Sequence, residues 1–289
     1  MKNALNHLPE KKQAELKAIV GAVIPKFTEI EMIILFGSYA RGNWVEDSFV
    51  EKGVTHVYKS DYDLLIILHK NAHANSDPLI ENITGQIEAL NLPTPVTPIF
   101  HSVEFVNAAL NEGNYFFGDI QDYGIVLFTT NRHQLVPKRE LSASEAKAKA
   151  ERDFKNWFQN ANEFFEFYQI ALNRGYNNKA AFELHQATER YYNTVQLVFT
   201  GYKSRTHNIE ILGTIAVSCD MRFSEVFPRV TIQDKNRFKL LKKAYTEARY
   251  NMDYKITRED LECLSERVEL LKSLTAEICQ ERINRFDSE

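Results

Sequence analysis

The sequence predicts a chain of two parts: an N-terminal half that mixes strands with helices, and a C-terminal half built from helices alone. Three observations carry this reading. Short apolar runs at 31–36 and 61–68 abut small or acidic turn residues, the mark of buried strands. A polar stretch near 132–142, containing Pro137, reads as a linker. After it, apolar residues recur at helical spacing and no convincing strand appears. A length of 289 residues suits two domains, placed at 1–135 and 140–289.

In the first half, residues 9–24 predict an amphipathic helix, with Leu16, Ile19, Val20 and Val23 on one stripe. Glu31 to Phe36 is a strand closed by Gly37-Ser38. Residues 43–60 are polar, contain Gly53, and read as an inserted loop or small hairpin. A second strand covers 61–68, and a helix fits 77–90. Val96 to His101 is a third strand, and Pro98 within it points to an edge or a bulge. A helix at 103–111 and a strand at 124–128 complete a half that is α+β or α/β.

The second half starts at a capping box, Ser142-Ala-Ser-Glu145. The long helix behind it carries Phe154, Trp157, Phe158, Ala161, Phe164, Phe165 and Tyr168, a stripe suited to core or dimer-interface packing. Gly175 ends it. Further helices are expected at 178–199, stopped by Gly201, from about 206–208, at 233–250, and from Thr257 onward. The sum is a bundle of about five helices.

Composition narrows the function. With 35 basic and 39 acidic residues, the net charge of −4 argues against bulk, sequence-independent nucleic-acid binding. Three cysteines, Cys219, Cys263 and Cys279, form no C-x-x-C pair, which argues against a disulfide framework or a zinc site. The polar N-terminus and the absence of long apolar runs point to a cytoplasmic, reduced protein.

Asp61 and Asp63 lie two apart on an apolar strand, so both carboxylates project from one face. Paired carboxylates at a buried strand end repel each other, and a divalent cation relieves that repulsion. Hard oxygen ligands suit Mg²⁺, which also bridges to substrate phosphates. Gly37 lets the backbone turn close to a ligand, and Ser38 sits where a helix start offers free amides to phosphate. Arg41 adds positive charge. A D-x-D pair or a G-S turn alone is a weak signal; the ordered pair of motifs, each on an apolar strand, is a stronger one.

Ile34-Leu-Phe-Gly-Ser-Tyr-Ala-Arg-Gly42 followed by Ser60-Asp-Tyr-Asp-Leu-Leu-Ile66 resembles the polymerase-β-type nucleotidyltransferase superfamily, especially its MNT and aminoglycoside-nucleotidyltransferase branches. The resemblance spans roughly 20–130 and implies a mixed sheet flanked by helices, hence an α+β fold. It also implies a nucleoside triphosphate, Mg²⁺ and transfer of a nucleotidyl group, AMP foremost, to a hydroxyl. By it, Gly37 and Ser38 hold the triphosphate, while Asp61 and Asp63 are catalytic metal ligands. Two departures stand out. Twenty-two residues separate Ser38 from Asp61, about twice the expected spacer. The third strand also lacks the family's third carboxylate; His101 and Glu104 are the nearest substitutes. The alternative reading is therefore a non-catalytic, antitoxin-like nucleotide-binding module.

Ala180-Ala-Phe-Glu-Leu-His-Gln-Ala-Thr-Glu-Arg-Tyr191, Gly201-Tyr-Lys-Ser-Arg-Thr-His207 and Ala248-Arg-Tyr250 resemble a HEPN domain, over about 145–285. The domain order is that of kanamycin-nucleotidyltransferase-like enzymes, and the resemblance implies a homodimer. No arginine is followed by histidine at the R-x(4–6)-H spacing of HEPN ribonucleases, which disfavours that activity. Arg190, Lys203, Arg205, His207 and Arg249 are candidates for a phosphate-bearing ligand, or else ordinary helix-surface charges.

Overall fold

The computed structural model describes residues 5–44, 46–51, 54–204 and 206–287. It divides into two compact units, one up to Glu140 and one from Leu141.

The first unit is an α+β domain on a four-stranded mixed sheet. Its strands are β1 (Ile30–Phe36), β4 (Tyr62–Leu68), β5 (Val96–Ser102) and β6 (Ile125–Thr129), in the order β5-β4-β1-β6. β1 runs antiparallel to both β4 and β6, whereas β4 and β5 are parallel. β5 is thus an edge strand, which is where Pro98 is tolerated. Within the predicted insert, β2 (Glu46–Glu51) and β3 (Val54–Lys59) pair as an antiparallel hairpin. Gly53 lies outside the described residues.

Helices α1 (Glu10–Val23), α3 (Asn71–Ala74), α4 (Asp77–Glu88) and α5 (Val103–Asn111) flank the sheet. So do α2 (Gly37–Arg41), the single turn that begins at the helix start expected at Ser38, and α6 (Tyr115–Tyr123), which, like α3, local patterning did not announce. The central strands are covered on both faces. Leu64 to Leu68 are all 0% exposed, which explains an unbroken apolar run in place of alternation. Each such Leu or Ile contributes roughly 1.5–3 kcal/mol by leaving water. Leu64, Ile66 and Leu68 join Leu16 and Ile19 of α1 and Ile83 and Ile87 of α4 in one core cluster. On the opposite face, Phe36 meets Phe116 of α6 edge-on at 5.4 Å.

The second unit is all helix: α7 (Ala143–Asn173), α8 (Asn177–Thr200), α9 (Ile209–Cys219), a 3₁₀ turn at Met221–Glu225, α10 (Ile232–Lys243), α11 (Glu247–Tyr250) and α12 (Arg258–Arg285). α8 is the central helix and packs against α7, α9 and α12. The Ser142–Glu145 capping box forms as the sequence predicts, and Gly201 closes α8 in the left-handed conformation at φ 68°. Of the predicted α7 stripe, Ala161, Phe165 and Tyr168 are buried, while Phe154, Trp157, Phe158 and Phe164 are half-buried.

One expectation is corrected. The helix predicted over 233–250 is interrupted at 244–246, giving α10 and α11. In a continuous helix the Leu241 carbonyl would accept the amide of Tyr245. Here it accepts from Ala244 at 3.2 Å and faces His185 Nδ1 at 2.9 Å. The phenol of Tyr254 donates to the Leu240 carbonyl at 3.0 Å. The Leu240 carbonyl keeps its regular bond from the Ala244 amide at 3.0 Å, so it is at Leu241, faced by His185 of α8, that the helical ladder stops. Among the described residues, no helix is long and apolar enough to cross a membrane.

Candidate functional site

The site is built where β1 ends. Pairing of β1 with β4 sets Phe36 opposite Asp63, so Gly37 turns directly beside the start of β4. Gly37 adopts φ +72°, a region that favours glycine. A Cβ on it would overlap Asp63 Oδ2 and stand 2.9 Å from Asp63 Cγ. The turn needs glycine twice over, for its dihedral and for the carboxylate against it.

Ser38, half-buried, is in the first turn of α2. Its carbonyl accepts the amides of Gly42 at 2.9 Å and Asn43 at 3.1 Å, which closes the turn. Early helix amides have no intrahelical acceptor and are free for an anion. Gly37, Ser38, Asp61 and Asp63 therefore converge at one end of the sheet.

Asp61 and Asp63 share a face with Phe36, and Tyr62 between them points the other way. The Tyr62 hydroxyl donates to Glu15 Oε2 of α1 at 2.9 Å. Lys12, one turn earlier on α1, donates to Thr94 Oγ1 at 2.7 Å and lies 5.9 Å from the Tyr62 ring centroid. Burial pushes the Tyr62 phenol up, so it remains a donor. Anchoring Tyr62 from behind fixes the strand end that presents the two carboxylates.

Burial, with Asp61 beside it, raises the Asp63 carboxyl to about 8. A carboxylate pushed this way by desolvation and a like charge is a group that gains from a cation. Asp61 accepts a hydrogen bond from the Thr97 hydroxyl. Thr97 lies opposite Asp63 in the β4–β5 register. A scan of the sequence for acids does not find Thr97; only the register brings it to the pair.

The two substitutes for a third acid lie elsewhere. His101 is four residues beyond Thr97 on β5, about 13 Å at the usual strand rise. It is buried, stacked on Phe105 at 4.4 Å and edge-on to Phe117 at 5.4 Å. Glu104 is exposed in the first turn of α5. Arg41 pairs with Asp119 of α6 at 2.8 Å and lies over the Tyr123 ring at 4.8 Å. It remains substantially exposed, so a phosphate would have to compete with Asp119.

In the second unit, the candidate cations spread over two aromatic platforms. Arg190 lies 5.3 Å from the Trp157 centroid and 5.5 Å from that of Phe164, and Lys203 also lies over Trp157. His207 stacks on Tyr245 at 4.4 Å, and Arg249 sits over the same ring at 4.9 Å. Buried Glu189 links the platforms: its carboxylate contacts His207 Nδ1 at 3.0 Å and Arg190 Nη1 at 3.4 Å. Arg205 lies outside the described residues.

Comparison with family models agrees with these folds. Residues 20–133 match the polymerase beta nucleotidyltransferase model, and residues 154–278 match the HEPN domain model. The chain is a nucleotidyltransferase domain followed by a HEPN domain. No curated protein matches it. The Gly37-Ser38 turn, the Asp61–Asp63 pair and Thr97 all fall inside the nucleotidyltransferase match, and the Glu189 cluster falls inside the HEPN match.

Proposed function

We propose that the nucleotidyltransferase domain transfers a nucleotidyl group, AMP foremost, from a nucleoside triphosphate to an acceptor hydroxyl. Mg²⁺ would be held by Asp61 and Asp63. The observation that carries this reading is the packing of Asp63 against Gly37: a desolvated carboxylate, with Asp61 beside it, and a glycine turn meet at one strand end. A divalent cation there supplies positive charge to the phosphate oxygens.

The chain's own groups do the rest. Gly37 keeps the turn open to the triphosphate, and Ser38 offers an amide and a hydroxyl. Thr97 orients the Asp61 carboxylate through its hydrogen bond, and Tyr62 holds the strand end still. Transfer forms a bond from the acceptor oxygen to the α-phosphorus, breaks the bond from that phosphorus to the bridging oxygen, passes the hydroxyl proton to solvent, and releases pyrophosphate.

Incubation with labelled ATP, Mg²⁺ and hydroxyl acceptors tests the proposal. Labelled product that disappears in an Asp61→Asn/Asp63→Asn variant supports it. Product that persists in that variant, or none with any acceptor, overturns it.

The hydroxyl of Thr97 opposite Asp63 favours a second reading, in which the site binds nucleotide as an antitoxin-like module without turnover. Mg-ATP binding by calorimetry, lost in the same variant and unaccompanied by product, selects it. A homodimer through the HEPN domain belongs to the same proposal and is checked by sedimentation.

A further inference from the structure

At the opposite end of the sheet from Asp61 and Asp63, three side chains converge. Glu31 lies at the start of β1, five residues or about 16 Å of strand from Phe36. His69 follows β4 directly, and His133 comes four residues after β6. Their ligand atoms all lie within 4.8 Å of one another. Glu31 Oε2 is 2.8 Å from His69 Nδ1 and 3.1 Å from His133 Nδ1.

We propose that Glu31, His69 and His133 form a binding site for a zinc-class divalent cation, separate from the carboxylate pair. Two imidazoles with one carboxylate are a borderline-soft donor set that suits Zn²⁺ better than Mg²⁺. Ligands around tetrahedral Zn²⁺ stand about 3.3 Å apart, as bond lengths near 2.05 Å require. The separations from Glu31 need only small side-chain shifts to reach that value.

The surroundings are those of oriented ligands. His69 Nε2 is 2.9 Å from the Thr28 carbonyl, a contact that selects Nε2–H and aims Nδ1 at Glu31. Nδ1 therefore stands 2.8 Å from Glu31 Oε2 with its lone-pair position directed into the cluster, where a cation would sit. Glu31 Oε1 accepts the Thr130 hydroxyl and the His133 amide, leaving Oε2 toward the imidazoles. Glu31 is 0% exposed, whereas His133 is 49% exposed. The cluster therefore has a fixed inner ligand and a solvent-facing outer one through which a cation enters. Binding would clip the segment after β6 to the start of β1.

Zn²⁺ alone, titrated calorimetrically into the chelator-stripped full-length chain, tests this. One equivalent is expected to bind at pH 7.5, with a raised Tm. His133→Ala and His69→Ala should each weaken binding at least tenfold, while Asp61→Asn/Asp63→Asn leaves it unchanged. His133 is exposed, so its alanine variant stays informative even if the His69 variant misfolds. Absence of one-equivalent binding, or unaltered affinity in His133→Ala, overturns the site. Loss only in the aspartate variant would assign the Zn²⁺ to the carboxylate pair and overturn it equally.

Discussion

The carboxylate of Asp63 fills the space beside Gly37 in which any other residue would carry its Cβ, which would stand 2.9 Å from Asp63 Cγ. Gly37→Ala must therefore swing the carboxylate away and strain a φ of +72°. The dihedral alone costs about 1–2 kcal/mol. The expected outcome is a folded protein with a modestly lowered Tm and Mg-ATP affinity reduced at least tenfold, read by calorimetry. Retained affinity would mean that Asp63 does not contact the ligand.

Asp63 also sets a pH dependence. Its folded-state value, raised by burial and by Asp61 from 3.8 to about 8, means that the folded chain holds this proton more tightly than the unfolded one. Stability of the metal-free protein should therefore fall as pH rises from about 4 to about 8. Asp63→Asn removes this contribution. It should be more stable than the parent at pH 8, by on the order of a few kcal/mol, and equal to it near pH 4. Thermal melts in chelator across this range decide the matter; superimposable curves would contradict it.

Thr97 stands opposite Asp63 and donates to Asp61. Thr97→Asp places a third carboxylate beside the pair with little change in volume. Nucleotidyl transfer should rise about a hundredfold or more, the range expected of general-base catalysis, while like-charge repulsion lowers metal-free stability. Rates and melts are measured together. An unchanged rate with an unchanged Tm would show that position 97 is remote from the chemistry.

His185 makes the HEPN domain sensitive to acid. It is 0% exposed, with Nδ1 2.9 Å from the Leu241 carbonyl and Nε2 3.8 Å from Glu189 Oε2. Burial lowers its proton affinity, so the contribution to stability is present above the ordinary histidine value of 6.5 and is lost as pH falls below it. Fluorescence of Trp157 in a Trp44→Phe background reports this unit, since the chain has two tryptophans. Denaturant unfolding should show a midpoint that drops between pH 6.5 and 5. His185→Gln should flatten that drop; a slope unchanged in the variant would assign it to another group.

Most of what a short window can encode was legible in the sequence. Strand alternation placed Asp61 and Asp63 on one face, and glycine marked the turns at 37 and 201. Apolar periodicity located α1, α7, α8 and α12, and Pro98 marked an edge strand. These follow from backbone sterics and from the periods of helix and strand, which operate over a few residues. The tertiary structure alone decided the rest. The β4–β5 register put Thr97, not His101 or Glu104, opposite Asp63. α6 supplied Asp119 to Arg41, and His185, over fifty residues away, reached the carbonyl at which α10 gives way. Sheet order drew Glu31 and His133 together across a separation of 102 residues. Such meetings depend on which strands pair and which faces pack, and the free energy that selects them comes from burying the whole core rather than from any one segment.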